Sequence, residues 1–189
     1  DLENKIAQTN NGYIKFNKLV NTMPFDSFME LTGKKVDHLS SNKVVVFNLG
    51  FDLPTDIESN WVYYPGDEIF YRVGFYNNIF NTDRMSLYVE IGMEKTDKVI
   101  EEDLLKKILE DLIKVGVIKN HNLVDHQMIV MNPAYVHITK EAKEIYHGWC
   151  KKNNPNGLFS IGRYGSWTYC SIEDNIIQAK ELFNDYLCE

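Results

Sequence analysis

The sequence predicts an α+β fold: a mixed, mainly antiparallel sheet covered by helices, closed by a C-terminal strand, turn and helix. Three observations carry this. Segments 44–49, 61–64, 69–75 and 86–92 are rich in β-branched and aromatic residues and are broken by Gly, Pro, Asn and Asp, and connections this short favour antiparallel neighbours. Segment 101–115 sets Leu104, Leu105, Ile108, Leu109, Leu112 and Ile113 at helical spacing, with lysines and acids opposite and Gly116 just beyond. Last, the apolar segment 158–161 runs through Gly162-Arg163-Tyr164-Gly165-Ser166-Trp167-Thr168-Tyr169 into an amphipathic stretch, 172–186.

The elements follow in order. A first strand is expected over 12–20, where Tyr13, Lys15 and Asn17 alternate imperfectly with Ile14, Phe16 and Lys18. Thr22-Met23-Pro24 turns the chain into a short helix, 25–31, ended by Gly33. After the four strands and the helix 101–115, strand pieces are expected at 127–130 and 134–138 around Pro133. A helix at 140–152 then precedes the loop Asn153-Asn154-Pro155-Asn156-Gly157. In the last helix Ile172, Ile176, Ala179, Leu182 and Phe183 share one face, and Ser171 with Asp174 makes the Ser-x-x-Asp capping pattern.

Composition narrows the function. With 189 residues and 44% hydrophobic content, the chain suffices for one large or two small domains. A net charge of -7, with lysines dispersed among acids, argues against nucleic acid as a partner. No apolar run approaches the ~20 residues that cross a bilayer. Cys150, Cys170 and Cys188 are odd in number and lack metal-ligand spacing, so reduced thiols in a cytoplasmic protein are expected. The five histidines are scattered without His-x-x-x-His geometry, and no Walker loop or Gly-x-Ser-x-Gly elbow is present.

Two places carry candidate chemistry. At the C-terminal turn, backbone N–H groups and the positive end of the helix dipole suit an anion or an electron-rich carbonyl, with Arg163 adding charge beside them. The plainer alternative is a well-capped helix after a buried strand. Arg72 lies mid-strand beside Tyr71 in an aromatic run and needs a partner, either a carboxylate across the sheet or a substrate phosphate or carboxylate held bidentately. Tyr169, Trp167 and Tyr135 are pocket-wall candidates or packing aromatics with their polar tips outward; Trp167 and Tyr169 point the same way if their segment is extended.

The turn resembles the C-terminal flavin-contacting signature, Gly-Arg-x-Gly-x-Trp/Tyr-x-Tyr, of the UDP-galactopyranose mutase and FAD-dependent amine oxidoreductase superfamily. Asn21-Thr22-Met23-Pro24-Phe25, Trp61-Val62-Tyr63-Tyr64-Pro65, Phe70-Tyr71-Arg72-Val73 and Asn132-Pro133-Ala134-Tyr135 also resemble stretches of these proteins, in the family's order, so the likeness spans about 12–187. It implies FAD as cofactor, contacted by Gly162, Arg163, Ser171, Ile172 and Glu173, and a substrate contacted by Arg72, Tyr71, Tyr135, Trp167 and Tyr169. No side chain is assigned as catalytic, because in such enzymes the flavin carries the chemistry.

The family's N-terminal Gly-x-Gly-x-x-Gly turn for the FAD pyrophosphate is absent, since no two glycines here are separated by one residue. The chain is therefore expected to be the C-terminal part of a longer flavoprotein. Residues 1–156 would form the substrate-side domain, and 157–189 would complete an FAD-binding domain whose nucleotide-binding half is the missing partner. The resemblance implies a mutase acting on a nucleotide sugar in surface-polysaccharide synthesis. An amine oxidase or desaturase, and a non-catalytic binding domain that keeps the fold, are the alternatives. Ser171 and Ile172 stand where the mutases commonly have Asp and Met, which puts sugar specificity in question, and Glu173 and Asp174 add negative charge to the same turn.

Overall fold

The computed structural model describes residues 1–188, which form two compact units, residues 1–40 with 135–188 and residues 41–134. Unit 2 is built on a five-stranded antiparallel sheet. In chain order its strands are β4 (Lys43–Phe51), β5 (Trp61–Tyr63), β6 (Arg72–Phe75), β7 (Ser86–Met93) and β8 (Leu123–Met131), arranged β5-β6-β7-β4-β8. Helix α3 (Glu101–Lys114) covers one face. Alternation decides which residues meet it: Val73, Val89 and Phe47 line up across β6, β7 and β4 and are fully buried with Ile108 and Leu112 of the helix. Burying side chains of this size stabilises by about 1.5–3 kcal/mol each, which makes this row the centre of the unit.

The opposite register faces the other way. It gives one row Tyr63–Arg72–Glu90 and a second row Trp61–Gly74–Tyr88–Asn48–Gln127. A short helix, α2 (Tyr76–Phe80), follows β6 directly; periodicity could not predict five residues. Asp111 of α3 is buried and accepts from Ile69 N–H at 2.8 Å and from Lys107 Nζ at 2.9 Å, which ties the segment before β6 to the helix.

Unit 1 is mainly helical. It holds the hairpin β1 (Ile6–Thr9) and β2 (Gly12–Lys15), then β3 (Leu19–Asn21) and α1 (Phe25–Leu31). From the other end of the chain come α4 (Lys140–Asn153), β9 (Leu158–Ser160), a single turn α5 (Gly162–Gly165) and α6 (Ile172–Leu182), which runs into a π-turn, Phe183–Leu187. The core is Phe25, Phe28 and Met29 of α1 against Ala142 and Trp149 of α4, with Leu158 and Trp167. Phe25 and Phe28 both meet the Trp149 ring edge-on, an arrangement favoured by the ring quadrupoles.

Several expectations change. The strand expected over 12–20 is two strands with different partners, β2 on β1 and β3 on β9, because the chain must leave the hairpin to pair in parallel with Leu158–Ser160. That pairing places 157–188 in the same compact unit as 1–40. Segment 134–138 is irregular apart from an isolated bridge at Val136, while β8 extends well beyond 127–130. The apolar stripe of α6 largely faces outward: Leu182 is buried, whereas Ile172, Ile176 and Phe183 are exposed. No helix among the described residues is long and apolar enough to cross a membrane.

Candidate functional site

In unit 1 the C-terminal turn is fixed by side chains of the helix that follows it. Gly162 takes φ 81°, a conformation that favours glycine, and this swings the chain from β9 into α5. Its N–H donates to Gln178 Oε1 at 2.8 Å, and Arg163 N–H donates to Asn175 Oδ1 at 2.9 Å. Ser160 Oγ, inside β9, donates to Gly165 O at 2.7 Å and accepts from Asn21 Nδ2 at 2.8 Å, so the turn is tied to β3 as well. These two backbone N–H groups are thus satisfied within the fold.

The free donors lie ten residues on. Ser171 caps α6 by accepting from Asp174 N–H at 3.1 Å, while Asp174 Oδ2 accepts from Ser171 N–H at 2.7 Å, a reciprocal capping box. These hydrogen bonds hold the Asp174 carboxyl below the usual carboxylate range. Asn175 N–H and Nδ2 donate to Ser171 O. The N–H groups of Ile172 and Glu173 remain at the helix start, where no intrahelical acceptor exists for them, and Ile172 is 82% exposed.

Arg163 gives the turn its charge. Its guanidinium lies over the Tyr169 ring at 4.3 Å and over the Tyr135 ring at 5.3 Å, and these rings are nearly parallel at 22°. Among the described residues no carboxylate pairs with it. Three residues singled out in the sequence, Tyr135, Arg163 and Tyr169, are therefore brought together, although 28 residues separate Tyr135 from Arg163. Stacking on aromatic faces orients a guanidinium while leaving its N–H edges open, and an unneutralised cation so held suits an anion.

Trp167 goes elsewhere. The condition for its pointing with Tyr169 was an extended segment, but α5 is helical and Trp167 itself takes φ 50°, so the indole turns into the unit 1 core while Tyr169 is two-thirds exposed. One edge of Trp167 lines a cleft of about 470 Å³ with Tyr146, His147, Ser166, Gln178 and Tyr186. The Tyr146 hydroxyl donates to Ser160 O at 2.7 Å, and burial pushes its pKa up.

In unit 2 Arg72 has the partner its position demanded. Its Nη2 donates to Glu90 Oε1 at 2.5 Å, Nη1 donates to Tyr63 OH at 3.3 Å, and the Tyr71 hydroxyl donates to the other Glu90 oxygen. The rings of Tyr63 and Tyr71 flank the guanidinium at 5.7 and 5.9 Å. Burial opposes the charge, but the Glu90 and Tyr63 hydrogen bonds outweigh it and raise the Arg72 pKa above its ordinary value. The pair is net neutral, which is the cross-sheet salt bridge weighed from the sequence. Glu90, Tyr63, Tyr88 and Trp61 were not singled out, although the alternation of aromatics at 61 and 63 signalled a shared sheet face.

No protein-family model matches the chain, and no curated protein matches it. Solved structures do. A crystal structure of reduced UDP-galactopyranose mutase aligns at 19% identity with a TM-score of 0.77 over 89% of this chain and 40% of that one. A putative protoporphyrinogen oxidase from Exiguobacterium sp. 255-15 aligns at 11% identity and TM-score 0.69, over 94% and 44%. The CLA-producing fatty acid isomerase from P. acnes aligns at 14% and 0.62, over 97% and 46%. The chain spans less than half the length of each, and it is a piece of the fold shared by these proteins, the fold to which the superfamily resemblance pointed.

Proposed function

We propose that the chain is part of an FAD-dependent enzyme that acts on a nucleotide sugar, with unit 1 contributing the end of the flavin site and unit 2 a substrate-facing sheet. The observation that carries this is Arg163, a cation packed against a stacked pair of tyrosines and free of any carboxylate among the described residues, at the turn before α6. The fold match to a UDP-galactopyranose mutase over 89% of the chain supports the substrate class.

The residues fit the cofactor in part. The Arg163 guanidinium and the open N–H groups of Ile172 and Glu173 suit an anionic or electron-rich edge of a flavin, while the backbone N–H groups of Gly162 and Arg163 are taken by Gln178 and Asn175. When bound, FAD supplies the electron and group-transfer chemistry. The chain's own share is to hold that edge at Arg163 and to orient substrate. Its outward apolar stripe, Ile172, Ile176 and Phe183 on and after α6, supports a further nucleotide-binding half that covers this helix.

Arg72 faces substrate with Tyr71 and Tyr63 around it. Its charge is matched by Glu90, so the contribution assigned to it is hydrogen bonding from its remaining N–H groups rather than neutralisation of a diphosphate. The oxidase alternative keeps its place through the protoporphyrinogen oxidase fold match. The test is ligand binding by the protein at its natural length. Co-purifying flavin with saturable UDP-galactose binding, competed by UDP, supports the proposal. Flavin retained with no affinity for either UDP ligand favours an oxidase, and absence of both leaves a non-catalytic binding domain.

A further inference from the structure

The face of the unit 2 sheet opposite α3 carries an aromatic platform. Trp61 and Tyr63 sit two residues apart on the edge strand β5, so both project from the same face, and they are 54% and 59% exposed. Across from Trp61 is Gly74, and across from Gly74 is Tyr88. The Tyr88 ring lies directly over that glycine: a Cβ at position 74 would stand 2.0 Å from Tyr88 Cζ, so only a hydrogen at 74 lets the ring lean toward β5. Tyr76 packs against Tyr88 with ring centroids 5.1 Å apart and backs it from the other side. Beside this row stands Tyr63–Arg72–Glu90, a neutral pair.

From this arrangement we infer that Trp61, Tyr63 and Tyr88 with the Arg72–Glu90 pair form a site for a neutral saccharide, one hexose ring lying on the aromatic platform. Three features select that chemistry. Exposed aromatic faces, those of Trp61 and Tyr63 with the half-buried Tyr88 beside them, take up the C–H face of a sugar ring, which is apolar although its edge is polar. The edge hydroxyls both donate and accept, and the platform's rim does the same: the partly exposed Arg72 guanidinium donates and the Tyr63 hydroxyl does either. Neutralisation of Arg72 by Glu90 removes the preference for an anion that a bare arginine would impose. Apolar partners would leave this hydrogen-bonding rim unmatched, at a cost in affinity. The site shares Arg72 and Tyr63 with the substrate-facing sheet proposed above and rests on that reading, naming the sugar ring as the part held there.

The tryptophans make the test specific. Of the three in the chain, Trp149 and Trp167 are buried in unit 1, and Trp61 alone is exposed. Titrating the whole chain with methyl galactoside and with a galactose disaccharide should shift the intrinsic tryptophan emission. Trp61→Phe should abolish that shift while calorimetry still detects binding, and Trp61→Ala should weaken binding tenfold or more. Gly74→Ala, which drives the Tyr88 ring off the platform, should weaken binding several-fold with circular dichroism unchanged. An emission change that persists in Trp61→Phe, or the same affinity in Trp61→Ala, overturns the inference. So does a change produced by UDP and not by either saccharide, which would mark a nucleobase shelf. UDP-galactose binding that is insensitive to Trp61 would overturn this site and leave the nucleotide-sugar proposal standing.

Discussion

Arg72 and Arg163 are each flanked by two tyrosine rings, yet only one of them faces a carboxylate. Arg72 stands between Tyr63 and Tyr71 with Glu90 at 2.5 Å, on a strand whose far side is the core of its unit. Arg163 stands beside the stacked rings of Tyr135 and Tyr169 within the turn α5, with no acid partner among the described residues. The aromatic frame is common to both and orients the guanidinium in each; the acid decides what the charge is for. In a partly buried sheet an unmatched cation is costly, so Glu90 stabilises Arg72 and consumes its charge. At the turn Arg163 keeps its charge available to a ligand.

The comparison breaks most visibly at Glu90. Glu90→Ala leaves the partly buried Arg72 without its carboxylate, and unfolding in urea should show a loss of about 3 kcal/mol, the lower end for breaking a buried pair because Arg72 is a quarter exposed. Adding Arg72→Leu should recover much of that loss, since the stranded charge is removed as well. A Glu90→Ala protein as stable as wild type would mean that the pair is a surface contact of no energetic weight.

The frame around Arg163 rests on the cap of α6. Ser171→Ala should cost about 1 kcal/mol in thermal or urea unfolding, the usual loss for an N-cap hydroxyl. The cap also carries a pH signature. Asp174 has its pKa lowered in the folded state, so its contribution is complete above the unfolded carboxylate value of about 3.9 and is lost as pH falls through the lower folded value. Asp174→Asn should flatten the acid side of the stability profile; an unchanged profile would show that the capping box does not persist in solution.

Arg163→Ala should have the smallest effect on stability, about 0.5–1 kcal/mol, from losing contacts with two rings and no ion pair. If it destabilised the chain as much as Glu90→Ala does, Arg163 would be a structural residue and the contrast between the two arginines would vanish.

Much of this frame was legible in the sequence because it is periodic. The β-branched and aromatic richness of 44–49 and 86–92 gave the sheet, and the spacing of Leu104, Ile108 and Leu112 gave α3 with its buried face. Ser171 and Asp174 gave the cap outright, since capping is local. What failed was not local. Glu90 meets Arg72 only through strand register, 18 residues away, and nothing near Arg72 in sequence announces it. Tyr135 meets Arg163 by tertiary folding alone. Trp167 was misplaced because the Gly-Arg-Tyr-Gly stretch coils into a helical turn, which reverses the side-chain direction that an extended chain would give. The α6 stripe shows the converse: periodicity found the apolar face, but its neighbours in this chain cover only Leu182.

The central claim, that Arg163 keeps its charge for an anion while Arg72 has given its charge to Glu90, can be read directly, because the chain has only three arginines and hence three Nε–H resonances. Titrating the nitrogen-15-labelled chain with inorganic pyrophosphate should shift the Arg163 Nε–H signal saturably. The Arg72 signal, from a buried Nε, should stay in place, and Arg84 serves as the reference. Salt should weaken the Arg163 response, as screening requires. A saturable shift at Arg72 with Arg163 unmoved would contradict the account.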